Sequence, residues 1–167
     1  FLPQLSVVIR ETSDILYKHT AVSCVDKISE KYGKKDLEAV AAAAQTIASE
    51  HCLGQQDARL RVMALLCLAS LVDILREAIV PMLPIAITTA LEYIEASLEE
   101  DEENLKLHNA AYAFISALLH RLPYMISGAS MLKLCSESWH KPGTEQCNRA
   151  IQYAIPYFVH KRPEVYY

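Results

Sequence analysis

Three groups of side chains in this sequence are of a type and spacing that could do chemistry. The first is built of cysteine and histidine: the neighbours His51 and Cys52, and the set Cys135, His140 and Cys147. Thiolate and imidazole are zinc ligands, but a structural zinc site takes four of them and normally draws them as close pairs such as CxxC. No such pair occurs here. Cys135 therefore reads as a core thiol and the histidines as surface groups, and no metal is assigned. The second group is the stretch "LEEDEEN" (98–104), in which Glu99, Glu100, Asp101, Glu102 and Glu103 follow one another between two apolar stretches. A calcium loop of the EF-hand kind needs alternating ligands and a glycine, and the run has neither. It reads as a solvated turn, with contact to a basic partner as the alternative. The third group is basic: Lys31, Lys34 and Lys35, and again His160, Lys161 and Arg162. These suit solvated helix ends, because helix C-termini favour cations.

Nucleotide chemistry of the standard kinds is excluded by spacing. The four glycines, Gly33, Gly54, Gly128 and Gly143, stand too far apart for a phosphate-cradling loop, and no GxSxG elbow occurs. The formal net charge of −4 argues against firm nucleic-acid binding, which needs many phosphate contacts. The tail carries Tyr153, Tyr157, Phe158, Tyr166 and Tyr167. Such rings serve as a docking surface where no further element covers them, or pack on the last helix pair. No catalytic, cofactor-binding or metal-binding residue is assigned. The candidate partner contacts are Glu99, Glu100, Asp101, Glu102, Glu103, Lys31, Lys34, Lys35, Tyr157 and Phe158.

Helices must position these groups. The chain has 167 residues, enough for one domain with a real core, and it begins at Phe1 rather than Met, as a piece of a longer protein would. Hydrophobic residues make up 52% and glycine is scarce, which favours an all-α fold. The uncharged runs 62–72 and 78–91 are shorter than the roughly 20 residues a bilayer requires, and no cleavable apolar leader is recognisable. Five cysteines at irregular spacing point to a reducing compartment in which thiols act as small hydrophobes. Pattern and breakers predict helices over 4–17, 19–32, 36–52, 57–78, 82–98, 104–121, 127–136 and 145–160. Asp36 and Asp57 are expected to cap the helices that follow them, and Asn104 or Asp101 the helix after the acidic run. Gly33 and Gly54 are expected as left-handed helix ends, and Pro81 and Pro123 as terminators. Leu60, Ala64, Leu68, Leu71 and Leu75 form one buried stripe.

The helices also repeat. "AVSCVDKI" (21–28) lies over "ALLCLASL" (64–71) at an offset of 43, matching Ala21 to Ala64, Cys24 to Cys67, Val25 to Leu68 and Ile28 to Leu71. "ALLCLASLV" lies over "AAYAFISAL" (110–118) at an offset of 46, matching Ala64 to Ala110 and Leu68 to Phe114. A helix pair at this period, within the roughly 40 to 47 residues of HEAT and armadillo repeats, predicts an α-solenoid of stacked antiparallel pairs, with HEAT favoured by two helices per period. The small residue at Ala21, Ala64 and Ala110 lets neighbouring helices approach closely. Lys18 and Arg61 share the basic position three residues earlier, where the third copy has Leu107. The competing architecture is a closed antiparallel bundle, which would bring helices 4–17 and 104–121 together. Residues 1–136 are read as the repeat region and 137–167 as a C-terminal helix and tail.

Three segments, "AVSCVDKISEKYGKKD" (21–36), "ALLCLASLVDILREAIVPMLP" (64–84) and "LKLHNAAYAFISALLHRLPYMISG" (105–128), resemble the U3 small nucleolar RNA-associated protein 10 family, the large HEAT-repeat subunit of the small-subunit processome. The resemblance covers residues 5–130 and stops after Ser136. It implies a non-catalytic nucleolar scaffold that helps assemble the U3-containing particle on pre-ribosomal RNA. It further implies a role in 18S rRNA maturation, with a link to ribosomal DNA transcription. The partners it implies are other processome proteins, with pre-rRNA or U3 snoRNA contact secondary, and no membrane, cofactor or small-molecule substrate. The runner-up reading is a HEAT adaptor of another kind, serving nuclear transport or a kinase or phosphatase. An enzyme or metal-binding helical domain is the third.

Overall fold

The computed structural model describes residues 1–96 and 102–122, and every described element is helical. In order they are α1 (Leu2–Glu11), α2 (Ile15–Tyr32), a 3-10 turn (Gly33–Lys35), α3 (Leu37–Ala48), α4 (Ala58–Leu75), a 3-10 segment (Arg76–Met82), α5 (Leu83–Ala96) and α6 (Glu102–Arg121). The helices expected over 127–136 and 145–160, Pro123, Gly128, Gly143 and the boundary at 136/137 lie outside the described residues.

Aspartate caps start three of the described helices. Asp36 accepts from the Ala39 amide at 3.2 Å and Asp57 from the Leu60 amide at 2.9 Å, as expected. The first break, in contrast, falls at Thr12–Asp14 and not near residue 18. Asp14 accepts from the amides of Leu16 and Tyr17 and so starts α2 four residues earlier than its apolar pattern suggests. The fourth helix ends at Leu75, before Pro81 can act, because Arg76 takes a positive φ of 50° and turns the chain into the 3-10 segment. α6 begins at Glu102, which puts Asn104 inside its first turn and not at its cap.

The glycine expectations fail in an informative way. Gly33 is right-handed (φ −59°, ψ −32°), and a Cβ there would lie 3.2 Å from Ile74 Cγ2 and 3.3 Å from Val40 Cγ2. Gly33 therefore serves the approach of α3 and α4 to the end of α2. Gly54 also avoids the left-handed region; a Cβ there would come within 2.9 Å of the Glu50 backbone.

Two layers result. α2, α4 and α6 lie side by side, with α4 packed against both neighbours; α1, α3, the 76–82 segment and α5 form the second layer in the same order. The consecutive pairs α1/α2, α3/α4 and α5/α6 pack along each other, whereas α2 and α3 barely touch. Residues 97–101 thus join the two helices of one pair. α1 packs on α2 and α3, and α6 is not among its packed partners, which is the pattern of a stack and not of a closed bundle. Corresponding ends meet: Gly33 at the end of α2 reaches Ile74 late in α4, and Arg121 at the end of α6 pairs with Asp73 at 2.6 Å. First-layer helices therefore run parallel.

The core runs continuously between the layers. Ala21, Ala64 and Ala110 are all buried, as is the whole stripe Leu60, Ala64, Leu68, Leu71 and Leu75. Each large aliphatic removed from water there contributes about 1.5–3 kcal/mol. Serial burial of this kind gives a stiff support whose outward surface is free to vary.

Candidate functional site

The basic repeat position comes first, because it fixes the frame. Lys18 is buried and donates its ammonium to the His51 carbonyl in the turn after α3. One repeat later, Arg61 Nε donates to the Gln55 carbonyl at 2.6 Å, and its guanidinium stands 4.5 Å from the centre of the Tyr93 ring. The Tyr93 hydroxyl in turn donates to the Leu53 carbonyl at 2.7 Å. Burial raises the Tyr93 phenol above its ordinary value, with Arg61 opposing, so it stays a donor. Three side chains from α2, α4 and α5 thus satisfy carbonyls of the loop that joins α3 to α4. The third copy, Leu107, is simply buried.

The cysteine chemistry is quiet. Cys52 and Cys67 are fully buried, and burial pushes the Cys52 thiol up to about 12, against the pull of Lys18, and the Cys67 thiol still higher. A protonated buried thiol is neither nucleophile nor metal ligand. His51 contributes its carbonyl to Lys18, and among the described residues no three His, Cys, Asp or Glu side chains are grouped to hold a metal. Cys135, His140 and Cys147 lie outside the described residues. Asp26 on α2 has its carboxyl raised by burial, with a hydrogen bond from Ser70 on α4 acting the other way.

The described part of the acidic run enters a groove. Glu102 and Glu103 open α6 and, with Lys106, form one wall of a groove of about 380 Å³ where the first turns of α2, α4 and α6 come together. Val62, Met63 and Leu66 of α4 make its floor, with Arg59 and His19 on the other side. Leu66 is 43% exposed although it stands mid-helix. Glu102 accepts from Lys106 at 2.9 Å, one helical turn on, and this hydrogen bond holds its carboxyl below the usual range. Glu103 and Arg59 form no ion pair among the described residues. Carboxylates at the start of a helix also meet the positive end of its dipole.

The lysines lie elsewhere. Lys31 and Lys35 flank the Tyr32 ring, with ammonium groups 6.0 and 5.8 Å from its centre, and Lys34 beside them is exposed. They mark the far end of α2, with Lys31 about 18 Å along the axis from His19 at the groove by helix rise. The acidic and basic candidates are thus not brought together. Glu99, Glu100, Asp101, Tyr157, Phe158 and the remaining tail aromatics lie outside the described residues. Missing from the sequence reading were the floor residues Val62, Met63 and Leu66 and the walls His19, Arg59 and Lys106. One signal was available: Leu66 sits off the Leu60–Leu75 stripe, so its apolar side chain has no place in the core.

Among the described residues no helix is long and apolar enough to cross a membrane. No family model matches the chain, and no solved structure matches it. Curated proteins do. It is 65% identical over 140 residues to U3 small nucleolar RNA-associated protein 10 of Chaetomium globosum, covering 83% of this chain. It is 62% identical over 150 residues to the protein of that name from Neurospora crassa and 48% identical over 147 residues to that from Aspergillus clavatus, each covering 88% of this chain. The chain spans about 8% of the length of each of these relatives.

Proposed function

This chain belongs to the U3 small nucleolar RNA-associated protein 10 family, and from that premise we propose that it is one stretch of a non-catalytic HEAT-repeat scaffold in the U3-containing small-subunit processome. The scaffold acts in the nucleolus, in pre-rRNA processing, 18S rRNA maturation and small ribosomal subunit biogenesis, with a link to ribosomal DNA transcription. The observation that carries this reading is identity of 62–65% with relatives of that name over most of the chain. The stacked helix pairs support it physically, since each repeat adds binding area along a line without adding reactive groups. Its partners are other processome proteins, held at fixed spacing. Contact with pre-rRNA or U3 snoRNA is secondary and falls to exposed lysines such as Lys31, Lys34 and Lys35.

The test is recovery of RNA and protein on the tagged full-length protein. U3 snoRNA and processome proteins are expected to be enriched over an unrelated small nucleolar RNA, and depletion is expected to lower 18S rRNA while 25S-type rRNA holds. A cytoplasmic protein that recovers transport factors, or a kinase or phosphatase, would overturn the reading in favour of a HEAT adaptor of another class.

A further inference from the structure

The groove over α4 has a surface that the stack itself does not use. Val62, Met63 and Leu66 are presented side by side, and Leu66, at 43% exposure, is the most open of the large apolar residues on α4. Further along α4, Leu68, Leu71, Val72 and Leu75 are all buried. The rim carries carboxylates on α6, Glu102 and Glu103 with Lys106, and a guanidinium on α4, Arg59, with His19 of α2 beyond. Lys106 is already engaged by Glu102, so the carboxylate of Glu103 and the guanidinium of Arg59 are left facing solvent.

We propose that this groove docks an amphipathic helix of a partner protein, with an apolar side chain seated on Met63 and Leu66 and a lysine or arginine facing Glu103. A volume of about 380 Å³ holds side chains and not a whole element, as in helix-in-groove recognition, where a few apolar anchors fill pockets and the rim supplies charge. The charge asymmetry sets the orientation: the basic edge of the incoming helix lies over α6, and an acidic edge is accepted by Arg59. A nucleic acid is disfavoured, because the rim carries only two cations, Arg59 and Lys106, matched by the carboxylates of Glu102 and Glu103, around an apolar floor. The proposal concerns partner chemistry alone, so its failure would leave U3 snoRNA recovery unchanged and would not touch the proposed function.

The test uses the whole chain and a fluorescent Leu/Lys amphipathic helical peptide, with its Leu/Glu counterpart as control. The Leu/Lys peptide is expected to bind more tightly. Leu66→Ser and Glu103→Lys are each expected to weaken it by about tenfold, both positions being exposed enough to leave the fold intact. Lys34→Glu, at the other end of the layer, is expected to change binding little. Equal binding of the two peptides, or full binding by Leu66→Ser, would overturn the proposal. In the native assembly, a photo-crosslinker at position 66 is expected to capture a partner segment with lysine or arginine beside an apolar residue. Capture of residues 123–167 of the same chain, of a second copy, or of RNA would overturn it.

Discussion

α2 and α4 carry the same motif in different settings. Ala21 and Ala64 are both buried, as are Val25 and Leu68, yet Cys24 and Ile28 are only partly covered where Cys67 and Leu71 are fully enclosed. The sequence is not what differs most. Among the described residues α4 has a first-layer neighbour on each side, α2 and α6, whereas α2 has only α4. In a stack, then, burial is set by position as much as by residue type, and the contribution of a side chain depends on how many repeats flank it.

The largest expected contrast is in core truncation. Leu71→Ala should cost about 3 kcal/mol in urea unfolding, and Ile28→Ala, at the matched place, roughly 1 kcal/mol. Equal losses would mean that α2 is as enclosed as α4. Next comes the basic position. Lys18→Met should cost about 1–3 kcal/mol, because it leaves the His51 carbonyl without its donor. The reverse change, Leu107→Lys, should destabilise, because it puts an ammonium where a buried aliphatic stands. A smaller effect, about 1 kcal/mol, is expected from Asp57→Ala through loss of the α4 cap. Thiol labelling sharpens the comparison without mutation: iodoacetamide should modify Cys24 well before Cys52 or Cys67, read by mass spectrometry of the native chain.

The smallest effect is electrostatic. Burial raises the Asp26 carboxyl, so the folded chain holds that proton more tightly than the unfolded one. Stability tied to this group is present below its ordinary value of 3.8 and is lost as pH rises through the raised folded value. Asp26→Asn should therefore raise the Tm slightly at neutral pH and leave it unchanged near about pH 3. A lower Tm at neutral pH would show that the Ser70 hydrogen bond outweighs the burial.

Much of this architecture was legible as text. The 43- and 46-residue offsets, the small residues at Ala21, Ala64 and Ala110, and the caps at Asp36 and Asp57 all describe local or nearest-neighbour physics, which a sequence states directly. What escaped depends on backbone detail or on several helices at once. Asp14 was passed over because the apolar pattern runs through the break it makes. Arg76 ends α4 through an unfavourable φ that no residue-type rule anticipates. Gly33 looked like a left-handed cap, but its reason is Ile74, forty-one residues away in the chain. The groove needed three helices brought side by side before Leu66, Glu103 and Arg59 could be seen to share one surface. Of the acidic run, Glu102 and Glu103 line it.

The central claim is that this chain is a stack in which α4 is the middle member, and native-state hydrogen exchange tests it most directly. The account predicts the slowest exchange in α4, with α1 opening at a lower free energy and independently of α6. Equal protection of α1, α4 and α6, lost together in a single global opening, would contradict it and point to a closed bundle.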